Sequence, residues 1–488
     1  MRRRVHRFLF PSLAAVAALA LTIACGEPGA TIPDTELPDT GVKPSGDDAS
    51  AHDASVLDAA NDRADVVCPD VLTDEATGIH VSATGTNGAS CGTRAAPCKT
   101  VNTGITRALA ASPKRAKVYV ARGTYAEKVT LAAGIEIVGG WDVAGTSWRR
   151  TCAAPEEAVV LRAPAGSNLT VEAKNLGGEA RLSLLTIQSK AAVQADPGES
   201  LYGVIASGAT TSLVMTDVRV AVGEAGTGAS GTKGAPGAGG AATCVAGAGT
   251  AGTAGTAGTA GAQGTGARPG AFDPAGYSPA TGAAGGAATP GTDGTPGVAG
   301  TCVVCGTCGV LCELIPAVAP PACGKNGTPG CAGGAGAAGS AAAGGGSSVG
   351  VYAWDANITI NGGTITSGNA GSGGAGGTGG AGGAGTNGAA GADTEACTTA
   401  CTLNAALALC VETKSKGLGG IAGGAGGLGG LGGAGGGGAG GSSFAIYQGG
   451  AGVVTTTGGA SLAHGKAGQG GGPAGGAGAV GAAADRVP

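Results

Sequence analysis

Glycine at every third residue constrains this chain more than any other feature. Gly249, Gly252, Gly255, Gly258, Gly261 and Gly264 hold that spacing, and from Gly373 the unit becomes Gly-Gly-X as far as Ala384. Glycine supplies 104 of the 488 residues, against typical usage of about 7%. It brings no side chain to a core, and aromatics at 3% and charged residues at 12% add little. This composition argues against an ordinary globular enzyme over the whole length. A three-residue turn suits a polyproline-II-like helix. Collagen does not fit, because only 23 prolines serve the chain and the Gly-X-Y runs are short and interrupted. Extended helices lined by glycine can approach closely and pack through backbone hydrogen bonds, yet ordering glycine costs more entropy than ordering any other residue. Packed bundles and flexible coil both remain open.

The N-terminus reads as an address. Arg2, Arg3, Arg4 and Arg7 precede an apolar run from Leu13 to Ile23, followed by Ala24-Cys25-Gly26. A basic region, a short apolar run and small residues before a cut make a secretory signal. Cysteine directly after the cut resembles the bacterial lipobox, which implies acylation of the Cys25 thiol and a membrane anchor. Thr22 stands where that family usually has leucine. Residues 1–24 are the expected signal peptide. Residues 25–66 are expected to be a disordered tether, because from Glu27 to Asp65 ten carboxylates face only Lys43 and Arg63. Gly26 after the cysteine resembles the outer-membrane destination of Gram-negative lipoproteins. The expected location is therefore lipid-anchored, at the outer membrane or cell surface of a Gram-negative bacterium.

From Val81 the composition changes, within an expected body at 67–225. Val101, Ile105, Ala108 and Leu109 fall on one helical face, and Val118-Tyr119-Val120, Gly123-Thr124-Tyr125 and Ile135-Glu136-Ile137-Val138-Gly139-Gly140 follow as short strands and glycine turns. This stretch resembles the opening of pectin-lyase-like proteins. That resemblance implies an all-β fold, a right-handed parallel β-helix with an N-terminal capping helix that covers its open edge. Further strands are expected at 158–162, 169–173, 182–187, 201–206 and 212–220.

Three segments echo one another. Val204, Leu213 and Val218 share their spacing with Val351, Ile360 and Ile365, and a third copy begins near Phe444. Each then runs into glycine. The expected organisation has β-helix coils at 348–370 and 442–464. Glycine-rich insertions fill 226–347 and 371–441, and 465–488 forms a glycine-rich tail. Insertions in solenoids emerge on one face. The repeats resemble PGRS proteins, and most closely the PGRS-type lipoproteins of myxobacteria. The helical N-terminal domain of the mycobacterial members has no counterpart here.

With Cys25 assigned to lipid, fourteen cysteines remain. Cys91 and Cys98 are the best pair on spacing, which leaves Cys68 and Cys152 in the N-terminal body. Cys302, Cys305, Cys308 and Cys312 have the spacing of a zinc or iron–sulfur run. The exported address favours disulfides for these and for Cys323 and Cys331, with connectivity open. Ala405–Leu409 reads as a short helix.

Catalytic signals are weak. His80 and His464 lack a supporting nucleophile motif, and His80 reads as an exposed strand end. Glu136, Asp142, Asp217 and Asp355 stand isolated along the expected coils. With the Cys302–Cys312 run read as disulfides, no metal or cofactor is expected, and the net charge of −4 argues against nucleic acid. The expectation is a structural or adhesive envelope lipoprotein without an evident catalytic site. Its expected partners are the membrane and extracellular polysaccharide or envelope proteins. Trp141, Tyr202, Tyr352 and Trp354, with Tyr119, Tyr125 and Trp148, are candidates for stacking on sugars, with packing between coils as the competing role. A polysaccharide lyase or glycoside hydrolase is the alternative, resting on fold analogy alone.

Overall fold

The computed structural model describes residues 72–244, 252–472 and 474–488. The expected signal peptide, Cys25, the acidic tether and Cys68 lie outside the described residues.

Three rows of apolar side chains build the core. The first row runs through Ile79, Val118, Ile137, Leu182, Met215 and Ile360, each the register partner of the next in parallel strands. The second runs through Val129, Val171, Val204, Val351 and Ile446. The third runs through Tyr125, Leu161, Ile187, Val220, Ile365 and Leu462. All three rows meet in one cluster, and only Leu462 is partly exposed. Residues two apart on a strand share a face, so each short apolar run gives its alternate residues to the cluster. The chain is all-β with parallel sheets, and from Leu169 it visits the second and first rows in alternation.

Left-handed residues turn the chain between rows. Asn175, Gly208, Asp355 and Gly450 each follow a second-row strand at φ of 47°, 96°, 56° and 70°. Leu184, Asp217, Gly362 and Gly458 turn the chain towards the third row at φ of 53°, 48°, 69° and 63°. Asn and Asp tolerate this region because their short side chains bond locally. Leu184 lacks that local compensation and is held there by strands on both sides.

The repeat spacing needs a correction. Val204 does pair with Val351, but Ile360 pairs with Met215 and Ile365 with Val220. Leu213 and Val218 lie two residues short of those positions. The corner after Ser207 is two residues longer than the corner after Trp354. A two-residue slip keeps the same face inward, so Leu213 and Met215 are both buried.

The expected helix forms at Val101–Ala110. The Thr100 side chain accepts from Thr103 N at 3.3 Å. The Glu127 carboxylate accepts from Val101 N and Asn102 N at 2.7 and 3.1 Å, a favourable charge at a helix N-terminus. Val101, Ile105 and Ala108 are buried, whereas Leu109 is exposed at the rim.

The glycine-rich segments interlock through their backbones. Segment 417–441 bonds to four other glycine-rich segments and to the tail, where Gly437 and Gly440 N donate to Gly476 and Ala479 O at 2.9 and 2.8 Å. Gly429, Gly432 and Gly435 N donate to Gly383, Gly380 and Gly377 O at 2.9, 2.9 and 2.7 Å; Gly430 and Gly433 N donate to Thr289 and Gly286 O at 2.9 and 3.1 Å. Its Gly427 and Gly430 carbonyls accept from Gly333 and Gly336 N, and its Leu428 and Leu431 carbonyls accept from Gly258 and Gly261 N. Partners repeat every third residue because a three-residue turn returns each N–H to the same side. Only glycine permits this approach. A Cβ on Gly429 would sit 1.9 Å from Gly334 O, and one on Gly380 1.9 Å from Ala235 O.

Ala405–Leu409 is not helical. It lies at the turn of an antiparallel hairpin, Cys397–Asn404 with Leu409–Ser415. Cross-strand pairing of Leu403 with Cys410 sets the observed shape in place of the expected helix.

Gly429→Ala should destabilise the glycine-rich region by about 1–3 kcal/mol, the usual range for overpacking. Leu428→Ser, at the exposed neighbouring position, should be neutral. Melting curves and limited proteolysis read both; equal behaviour of the two variants would contradict the backbone packing.

Candidate functional site

The aromatic candidates are mostly withdrawn into packing. Trp141 is buried, with the Arg150 guanidinium 3.9 Å above its ring centroid. Tyr119 and Trp148 are buried beside it, and Tyr125 fills the third row. Tyr202 and Tyr352 are buried under the hairpin 271–278, which leaves the glycine-rich region to cover the second-row sheet. Phe272 stacks on Tyr447 at 4.2 Å, and Tyr352 stacks on Tyr447 at 5.0 Å. Tyr202 Oη accepts from Tyr277 N at 2.7 Å, Tyr277 Oη donates to Gly440 O at 3.2 Å, and Tyr352 Oη donates to Asp273 O. Burial raises the Tyr352 hydroxyl above its ordinary range. These side chains join the sheet to the glycine-rich region and leave no face for a sugar. Trp354 alone of the four is half-buried, at the edge of the stack.

The described cysteines are oxidised. Cys91 is bonded to Cys98, and Cys152 is disulfide-bonded. Further pairs are Cys244–Cys331, Cys302–Cys323, Cys305–Cys397, Cys308–Cys401 and Cys312–Cys410. The metal-like spacing from Cys302 to Cys312 therefore offers disulfide sulfurs rather than thiolate ligands. Three of these bonds reach 92, 93 and 98 residues along the chain. Closing one such loop stabilises by about 4–5 kcal/mol through chain entropy. Once one is closed the others bridge only short stretches, so their contributions do not add.

The acids serve mostly as fasteners. Asp142 takes Arg122 Nε at 2.6 Å, and that hydrogen bond holds its carboxyl below the usual range. Glu136 bonds Ser183 Oγ at 3.1 Å and lies 3.6 Å from Lys117 Nζ. Asp355 accepts from Ala451 N at 2.8 Å across a corner. Asp217 differs. It lines a cleft with Glu156, Glu157 and Arg219, and Arg219 bonds Glu157 at 2.7 Å.

His80 is a correction. It is fully buried, with Nε2 2.9 Å from Thr73 Oγ1, Nδ1 3.3 Å from Gly92 O and Trp148 edge-on at 4.7 Å. Desolvation lowers its pKa to about 4, opposed by the Gly92 hydrogen bond. The alternating Ile79 and Val81 point to the core, which puts His80 on the other face; the covering layer of Thr73 and Trp148 comes from elsewhere in the chain.

An ordered polar surface was missed. Segments 252–267 and 280–298 run antiparallel, with paired hydroxyls at each rung. Thr253 and Thr295, Thr256 and Thr292, and Thr259 and Thr289 have Oγ1 atoms 3.1, 3.0 and 2.9 Å apart. Thr256 N and Thr259 N donate to the opposite hydroxyls at 2.7 Å. Two hydroxyls sharing one bond, with one further bond accepted, leave one O–H and two lone pairs at the rungs of Thr256 and Thr259; at the first rung Thr295 Oγ1 also lies 3.4 Å from Thr253 O. All six threonines are exposed. Three residues per turn at about 3.1 Å rise places a rung about every 9 Å. The signal was present in the sequence as matched three-residue threonine spacing in two stretches.

Among the described residues no group of His, Cys, Asp and Glu is arranged to hold a metal ion, and no helix is long and apolar enough to cross a membrane. No family model, curated protein or solved structure matches this chain.

The unfolded state, with His80 near 6.5, takes a proton before the folded state does. The stability from neutral His80 is thus complete above pH 6.5 and is lost as pH falls towards 4. The melting temperature should drop between about pH 7 and 5, and His80→Gln should flatten that slope. Identical slopes in parent and variant would contradict the burial.

Proposed function

We propose that this chain is a cell-envelope lipoprotein, anchored through acylated Cys25, with a structural or adhesive role at the outer membrane or cell surface. The parallel pairing, the three apolar rows and the stacked left-handed corners support a right-handed parallel β-helix as its body, and the three-residue hydrogen-bond period supports a polyproline-II-type bundle beside it. The disulfides fit an oxidising, exported setting. Resemblance to PGRS-type lipoproteins supports the same placement.

The observation that carries the adhesive reading is the threonine ladder. A repeating row of free hydroxyl donors and acceptors suits a repeating polyol, and extracellular polysaccharide is the ligand class with that chemistry. Backbone bonds fix the rungs before binding, so little entropy is lost on contact.

Residues 26–488 should be retained by one or more of a panel of bacterial and plant polysaccharides without shortening them. Replacing Thr253, Thr256 and Thr259 together by alanine removes three hydroxyls while keeping the opposite acceptors for their N–H groups, and should lower retention at least fivefold. Unchanged retention would overturn the ladder's role. Saturable chain cleavage would favour the lyase or hydrolase reading, with Glu156, Glu157 and Asp217 the carboxylates to replace.

A further inference from the structure

Paired hydroxyls occur in two settings on this molecule. Thr232 and Ser340 form one isolated rung between segments 226–240 and 331–346. Thr232 N and Oγ1 donate to Ser340 Oγ at 2.7 and 3.0 Å, and Ser340 N donates to Thr232 O at 3.0 Å. The rungs of the threonine ladder close in the same way: Thr292 N donates to Thr256 O at 2.9 Å, and Thr289 N to Thr259 O at 3.0 Å. A rung therefore fastens two segments, but fastening does not need hydroxyls. On either side of the isolated rung Ala343 N donates to Ala229 O at 2.9 Å and Ala337 N to Ala235 O at 2.8 Å, with no side-chain bond. Three hydroxyl rungs in succession exceed what holding the segments together requires. They set a donor and acceptor group about every 9 Å along about 18 Å of exposed surface.

The surroundings of the ladder are uncharged. Residues 252–267 and 280–298 carry a single charged side chain, Asp293, and no aromatic ring. The Asp293 carboxylate is engaged with the neighbouring segment, where it accepts from Ala332 N at 2.7 Å. A uronate or sulfated chain would gain no ion pair here and would meet a protein of net charge −4. No ring stands in these segments to stack on a sugar face, so contact is made at hydroxyl edges. The bonds offered by one exposed rung compete with water and net little. A chain that lies along three rungs makes its second and third contacts intramolecularly, which raises affinity without a new kind of contact. We propose that the ladder is a subsite for an uncharged, extended polysaccharide, bound at its hydroxyl edge and held by avidity across the three rungs. This rests on the polysaccharide reading above and adds the class of ligand: neutral rather than acidic, and polymer rather than small sugar.

The test is retention of residues 26–488, which hold every described element, on immobilised polysaccharides under oxidising conditions. Dextran, galactomannan and a mixed-linkage β-glucan are the neutral probes; alginate and polygalacturonate are the acidic ones. At least one neutral polymer should retain the chain, and retention should persist when salt rises to about 1 M, where the Debye length is about 3 Å. Size-fractionated hydrolysates of that polymer should compete only above a threshold length, with single sugars and disaccharides about a hundredfold weaker by mass. Thr256→Ala, which breaks the ladder at its middle rung, should cut retention at least threefold with an unchanged melting curve. Thr232→Ala, at the isolated rung, should be retained like the parent. Equal competition by single sugars, or equal loss from Thr232→Ala and Thr256→Ala, would overturn avidity along the ladder. Retention by the acidic polymers alone, lost in salt yet still reduced by Thr256→Ala, would overturn the neutral class and leave polysaccharide binding at the ladder standing. Retention on none of the probes would overturn both.

Discussion

The hydrogen bond from a glycine N–H to a carbonyl on the next segment underlies the glycine-rich half of this molecule. It needs a backbone approach that no Cβ allows, and it replaces the side-chain core that glycine cannot supply. Such a bond nets only about 0.5–1.5 kcal/mol, and each glycine ordered forfeits more chain entropy than other residues do. The segments therefore hold only as a set. Segment 417–441, which bonds to four other glycine-rich segments and to the tail, is the member whose loss would release the rest.

The two halves solve the same problem differently. In the sheets, alternate aliphatic side chains stack from strand to strand and water is excluded by volume. In the glycine-rich region glycine N–H groups find carbonyls on neighbouring segments with a three-residue period, and water is excluded by backbone contact. The hairpin 271–278 joins the two, because Phe272 and Tyr277 add aromatic area to the outer face of a sheet while Tyr277 also bonds the Gly440 carbonyl. Where neither device operates, between Cys302 and Cys323 and between Cys397 and Ser415, covalent bonds do the holding and large apolar side chains stay outside.

Much of the sheet architecture was legible because its signals are local. Valine and isoleucine alternate, glycine, aspartate and asparagine mark corners, and Val101, Ile105 and Ala108 face one way. The matching of Val204 with Val351 was legible too, while the two-residue longer corner after Ser207 was not, since a slip of two preserves the pattern of burial. The partners of each glycine segment were hidden for a related reason: one Gly-Gly-X triplet resembles the next, so sequence shows the period but not the neighbour. Trp141, Tyr202 and Tyr352 could be read as sugar platforms because aromatic residues near a strand end look the same whether a hairpin covers them or not. His80 likewise depended on Thr73, seven residues earlier, and on Trp148, which comes from a distant strand. The threonine ladder needed two stretches to be aligned antiparallel before either looked unusual.

Whether the glycine segments form a hydrogen-bonded bundle is decided most directly by amide hydrogen exchange on residues 26–488. If they do, the amides of Gly429, Gly432 and Gly435 and those of Gly374, Gly377 and Gly380, all bonded between segments, are protected many-fold over a random chain. The amides of Leu428 and Leu431, which form no such bond among the described residues, exchange faster in the same segment. Exchange of all of them at random-coil rates, while Val204 and Val351 stay protected, would show a flexible coil attached to a folded sheet and would contradict the bundle.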